Sequence, residues 1–333
     1  MSMTEDMVVK SDIYNIRIVS NCEWIREYIK EHLDDFNRLT INTHIVDEDD
    51  NFDMTFKYIN CDVYKIKYTK KTKEMLLYSP WSKISKSTII PMMFRIMVEL
   101  LRQGSDEIKL HASAVEKDNK VALLLAPSEG GKTTTALSLC QNYNYIMRAN
   151  DASVVKFISE VPVFLRGDNS FRFRLNSLET YSKSFYDLAT KNHIKKELPW
   201  YDKLKIDAND LNIPINDQET VIKHIFFVKL DSHVNGCTIK KYGLNEDERR
   251  DFWLKYKMQI LTNIGGTIKG NDLIPIGNDG TILPIIIPDF DNSIYAKKRI
   301  KFINDLFDKC EVYQIRGKLD NVVEFINNKV QNG

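Results

Sequence analysis

The residues best suited to chemistry stand in a single run, Ala126-Pro127-Ser128-Glu129-Gly130-Gly131-Lys132-Thr133. The run fits the Walker A phosphate-loop pattern, with Ala126 where the first glycine often stands. Each residue type has a physical task. Gly130 and Gly131 open backbone conformations closed to other residues, so successive N–H groups can turn inward toward phosphate oxygens. Lys132 reaches the β- and γ-phosphates as a mobile charge, and the Thr133 hydroxyl is placed to bind Mg2+. Ser128, Glu129 and Thr134 complete the nucleotide-binding set, with Glu129 a solvated side chain rather than a catalyst.

The elements on either side are those the loop requires. The apolar run VALLLA leads straight in, and KTTTALSLCQ (132–141) leads out as a helix whose N-terminal dipole faces the anion. HASAVEK and NKVALLLA flank a Lys-Asp-Asn turn and read as an antiparallel hairpin ending at the loop. YIMRAND (145–151) reads as the next strand, with Asn150 and Asp151 at its end. The competing reading of the loop is an ordinary glycine-rich strand-to-helix turn.

HASAVEKDNKVALLLAPSEGGKTTTALSLC, followed by RANDASVV, resembles the HPr kinase and PEP carboxykinase-like nucleotide-binding group. That group includes kinases associated with peptide natural products and free-serine kinases. The resemblance is specific over about residues 110–157 and weak beyond. It implies a mixed, partly antiparallel sheet with helices against it, binding of ATP and Mg2+, and transfer of the γ-phosphate to a hydroxyl on a peptide or small molecule. It places His111 near the phosphates and the acidic residue, and sets LRG (165–167) and RFRL (172–175) on the acceptor side. HPr kinases commonly carry two adjacent aspartates where this chain has Asn150-Asp151. Asn150 can offer an amide oxygen to metal but cannot take a proton at neutral pH.

Asp151 follows Lys132 by about twenty residues. A carboxylate there can hold Mg2+, with Thr133 and Asn150, or accept the hydroxyl proton; its other reading is a turn residue. His111 is either its partner or an ordinary structural histidine. A guanidinium is wanted on the charge that develops in phosphoryl transfer, and Arg148, Arg166, Arg172 and Arg174 follow the loop closely. We take Arg166 as the candidate, beside Asp151, His111 and Lys132. Any single one of these arginines can equally be a solvated strand residue. Lys203 and Lys205 are weaker candidates.

The positioning elements suggest two parts. YNIRIVS (14–20) reads as a strand, 22–36 as a helix and 61–80 as a hairpin around KKTKE. Residues 1–88 are thus an N-terminal α+β unit and 89–333 the nucleotide-binding domain. Helix 90–103 connects them, with Gly104 as its C-cap. Beyond the loop come a helix at 176–192, a polar connection at 195–207, a buried strand at 224–230 and a helix at 245–261. Helix, strand and helix from 295 onward close the chain.

Composition limits the alternatives. The net charge of +1 supplies no global field for nucleic acid. The six histidines show no zinc spacing, and the five cysteines form no CxxC and no even disulfide set, which suits a reducing compartment and the cytoplasm. TILPIIIPDF (281–290) is too short and proline-broken for a membrane span and reads as buried strand or loop. Self-association is common in the HPr kinase group and is carried as an expectation. Three other functions stand behind a kinase: a non-catalytic nucleotide-binding module, which Asn150 favours, a carboxykinase and an NTP-driven hydrolase. The chain is short for a carboxykinase and lacks a clear Walker B strand for a motor.

Overall fold

The computed structural model describes residues 3–46, 51–127, 130–174, 203–243, 245–257, 260, 283–291 and 293–332. The chain forms a mixed α+β fold with parallel and antiparallel strand pairs, divided into two compact units: Met1–Ile108 with Leu261–Arg299, and Lys109–Ile260 with Ile300–Gly333.

The first unit is built on a six-stranded sheet. Its strands are β1 (Glu5–Ser11), β2 (Tyr14–Ser20), β3 (His44–Val46), β4 (Met54–Asn60), β5 (Lys65–Thr69) and β6 (Glu74–Ser79), in the order β3-β1-β2-β4-β6-β5. β1–β2 and β5–β6 are antiparallel hairpins, while β2–β4 and β4–β6 are parallel. The predicted 61–80 hairpin is the β5–β6 pair. The predicted 22–36 helix is two short ones, α1 (Ile25–Glu31) and α2 (Leu33–Leu39), separated at His32. A further short helix, α3, spans Trp81–Ile84.

The division expected after residue 88 differs from the compact units. Helix α4 (Ile89–Gly104) buries Ile90, Met93, Phe94 and Met97 in one core with Val9, Ile16, Phe56 and Leu77 of the sheet, so it belongs wholly to the first unit. The same core takes Leu283, Ile285 and Ile287, while Ile286 between them is exposed. That alternation explains why 281–290 reads as apolar without being a span. Gly104 is the last residue of α4 rather than its cap. Ser105 caps it, and the left-handed turn falls to Asp106, with φ of 56°.

The second unit holds a nine-stranded mixed sheet. Its path runs β10 (Ile146–Ala149), β8 (Ser113–Lys117), β9 (Lys120–Leu125), β15 (Thr220–Leu230), β12 (Val161–Gly167), β11 (Ser153–Ile158) and β7 (Ile108–Leu110). β17 (Glu311–Gly317) lies beside β15, and β16 (Cys237–Lys241) beside β17. β15 is parallel to both β9 and β17, whereas β8–β9, β10–β8 and β11–β12 are antiparallel. The β8–β9 turn matches its sequence. Asp118 and Asn119 both take positive φ, 51° and 58°, as a tight two-residue hairpin demands.

Helix α5 (Lys132–Tyr143) packs Ala136, Leu139 and Cys140 onto Val115, Ala122 and Leu124 of the sheet, and Val322, Val323 and Ile326 of helix Leu319–Asn332 join the same core. A two-stranded ribbon, β13 (Ser170–Arg174) with β14 (Lys203–Asp207), completes the unit. β14 falls where 195–207 was expected to be a polar connection. The predicted helix at 176–192 lies outside the described residues. The predicted helix at 245–261 is α-helical over Glu246–Phe252 and changes to a π-turn over Trp253–Lys257.

Candidate active site

The candidate phosphate loop is shaped by its glycines and by β15. Gly131 has φ of +98°, and a Cβ there would lie 2.4 Å from Leu230 Cγ. Gly130, expected to need a glycine-only backbone as well, has no positive φ and is limited by space alone, since its Cβ would lie 2.7 Å from that of Ala126. The loop is tied down by Gly130 N–H donating to Pro127 O at 3.0 Å and Leu230 N–H donating to Gly130 O at 3.0 Å. Ser128 and Glu129 lie outside the described residues.

The N-cap position of α5 is Gly131, so among the described residues no side chain caps this helix end. Its first N–H groups have no intrahelical partner by helix geometry, so this end is a ready donor set for an anion. Thr133 and Thr134 stand half-buried in that first turn.

Three sequence-distant residues meet beside the loop. Lys132 is 7% exposed, and its Nζ donates to His111 Nε2 at 2.9 Å and to Ala126 O at 3.5 Å. Because the ammonium can only donate, Nε2 must accept and the ring proton sits on Nδ1. That Nδ1 donates to the Asp151 carbonyl at 3.2 Å, with the Asp151 carboxylate 3.5 Å away. The same carboxylate is 3.8 Å from Lys132 Nζ and half exposed. Desolvation, with the neighbouring Lys132 charge, holds His111 below the ordinary imidazole range, against the opposite pull of Asp151. The site therefore contains a neutral histidine, a buried cation and an accessible carboxylate. His111 lies in the bend between β7 and β8 rather than opening a strand.

Asn150 is 3% exposed and fully engaged. Its Oδ1 accepts from the Thr133 hydroxyl at 2.9 Å, its Nδ2 donates to Ser170 O at 3.2 Å, and its carbonyl accepts from the Ser113 hydroxyl. Of the three residues expected to hold Mg2+, Thr133 and Asn150 are hydrogen-bonded to each other, and the Asp151 carboxylate lies against His111 and Lys132. Among the described residues, no three His, Cys, Asp or Glu side chains group as a metal site.

The arginines divide. Arg148 is 1% exposed and paired with Glu116, with further bonds to Thr220 Oγ1 at 2.7 Å and Gln218 O, and its guanidinium stacks 4.8 Å over Phe164. Every one of those partners is structural, so Arg148 leaves the candidate set. Arg166 is half-buried on β12 opposite Val154, one residue before the segment that supports the 150–152 turn. Arg172 and Arg174 pair in register with Lys205 and Lys203; the side chains of all four lie outside the described part.

Sequence reasoning missed Asp168. Its Oδ1 accepts the backbone N–H groups of Asp151 at 2.9 Å and Ala152 at 2.7 Å. Burial pushes its carboxyl up to about 6, against the pull of those two donors. The one available signal was the Gly-Asp pair after a strand, which ordinarily means a turn.

Among the described residues, no helix is long and apolar enough to cross a membrane. Compared with known proteins, the chain matches no protein-family model and none of the curated sequences.

Proposed function

We propose that the chain is a kinase that moves the γ-phosphoryl group of ATP, with Mg2+, to the hydroxyl of a peptide serine or a small metabolite. The carrying observation is the convergence of Lys132, His111 and Asp151 beside the glycine-led N-terminus of α5. The local resemblance to the HPr kinase and PEP carboxykinase-like group points the same way, as does a mixed sheet entered by the β8–β9 hairpin.

In this reading the amide groups of Gly130, Gly131 and the first turn of α5 take the phosphates, and Lys132 leaves His111 for the β- and γ-oxygens. Asp151, held by His111 and exposed enough to meet an acceptor, takes the hydroxyl proton while the hydroxyl oxygen bonds to the γ-phosphorus. The bond from that phosphorus to the bridging oxygen breaks and ADP departs. Arg166 is the candidate guanidinium for the charge on the transferred group. Mg2+, bound with the nucleotide, would neutralise part of the phosphate charge near Thr133, Asn150 and Asp151.

Asn150 favours a second reading. A buried amide at this position cannot act as base, and it already holds the Thr133 hydroxyl. A protein that only binds nucleotide, and thereby orders a surface for a partner, fits that feature. Incubation with γ-labelled ATP, Mg2+ and a peptide or lysate pool separates the two. A kinase moves label to an acceptor, and both Lys132→Ala and Asp151→Asn abolish the transfer. Nucleotide binding that needs Lys132, with no label transferred to any acceptor, establishes the binding module instead.

A further inference from the structure

The turn that carries Asp151 is held from below by the segment Gly167-Asp168. Asp168 Oδ1 accepts two successive backbone N–H groups, those of Asp151 and Ala152. The backbone repeats the attachment, with Asn150 N–H donating to Asp168 O at 2.9 Å and Asp168 N–H donating to Ala152 O at 3.2 Å. Gly167 makes the approach possible, because a Cβ there would lie 2.3 Å from Ala149 Cβ and 2.6 Å from Ala152 O. The two strands, β11 and β12, shift register between Val154 and Val155, beside the same turn.

The consequence reaches the reacting groups. With its own N–H fixed, Asp151 directs its carbonyl to His111 Nδ1 at 3.2 Å and keeps its carboxylate 3.8 Å from Lys132 Nζ. Resting on the kinase reading above, we infer that Asp168 is a positioning residue that sets the height and direction of the Asp151 carboxylate through these two amide bonds. Its contribution is the place of one acceptor oxygen rather than its charge. Asp168 therefore has a function that the Asn150 side chain, committed to Thr133 and Ser170, does not share.

Three substitutions measured at pH 7.5 separate place from charge. Asp168→Asn keeps an acceptor oxygen in position and removes the charge; Asp168→Glu keeps the charge and moves the oxygen by one methylene; Asp168→Ala removes both. The Asn variant is expected within threefold of the wild-type kcat for label transfer, and the Glu and Ala variants at least tenfold below it. Nucleotide Kd measured without Mg2+ should stay within twofold throughout, since the Asp168 side chain bonds the amides of Asp151 and Ala152 rather than the loop or Lys132. Amide exchange at Asp151 and Ala152 should quicken at least tenfold in the Glu and Ala variants only. The Asn and Glu variants carry the comparison if Ala does not fold. Wild-type kcat in the Glu variant, or an Asn variant as impaired as Ala, would overturn the inference. If the wild-type protein transfers no label, the kinase reading falls. The exchange rates then decide whether Asp168 fixes the turn: unchanged rates in the Glu variant reject it, and faster ones uphold it.

Discussion

The Thr133 hydroxyl donates to the Asn150 amide oxygen across 2.9 Å, linking the first turn of α5 to the end of β10. The nitrogen of the same amide donates to Ser170 O, so both ends of the Asn150 side chain are used inside the protein. Position 150 is therefore chemically adapted to an amide, which can give and receive, and a carboxylate there could only receive.

Asn150→Asp should consequently destabilise the nucleotide-free protein. It turns a donor into an acceptor against the Ser170 carbonyl in a buried place, a change that costs about 1–3 kcal/mol. A urea unfolding midpoint measured at neutral pH checks this. A variant as stable as the wild type would show that the site accepts a carboxylate at no cost and that the Asn150–Ser170 bond is unimportant.

Arg148 and Glu116 make the opposite case, of a charge that looks functional and is structural. Removing one member of a buried pair leaves the other unpaired, at about 3–5 kcal/mol. Arg148→Met should cost that much in equilibrium unfolding, and Glu116→Gln in the same background should recover part of it. Two independent, additive losses would contradict the pairing. The nucleotide affinity of the folded Arg148→Met protein should equal the wild type's.

His224 predicts an acid limb in stability. It is 2% exposed on β15, stacked 5.9 Å from Phe226, and neither ring nitrogen has a hydrogen-bond partner among the described residues. Burial holds its pKa below the ordinary 6.5, against the pull of Glu311. The unfolded chain thus binds the proton more readily than the folded one. The contribution to stability is present above pH 6.5 and is lost as the pH falls below it. His224→Phe should flatten that limb in unfolding midpoints taken from pH 8 to 5. Parallel curves for the two proteins would contradict it.

Much of the candidate site was legible because its signals are local. Glycines, lysine and threonine at loop spacing, an apolar strand before them and a left-handed Asp118-Asn119 turn each act within a few residues. The meeting of His111, Lys132 and Asp151 was legible only through the resemblance, because sequence spacing does not give the distance between strand ends. Asp168 was invisible for a related reason, since an aspartate in a turn carries no mark of the distant amides it binds. Arg148 misled because charge on a strand looks the same in sequence whether it faces solvent, substrate or a buried Glu116. The boundary expected at 88 differs from the compact units because the amphipathic face of α4 states that it packs and not against which sheet. The polar Lys203–Asp207 segment concealed a strand whose partner, β13, supplies its pairing.

Whether nucleoside triphosphate binds at this loop through Lys132 is decided by titrating Mg·ATP into wild-type protein and Lys132→Ala. Binding to the wild type should saturate, with a Kd about tenfold to a hundredfold weaker in the variant, the scale of lost hydrogen bonds to a charged group. Equal affinity in the two proteins, or no binding by either, would contradict binding at this loop through Lys132.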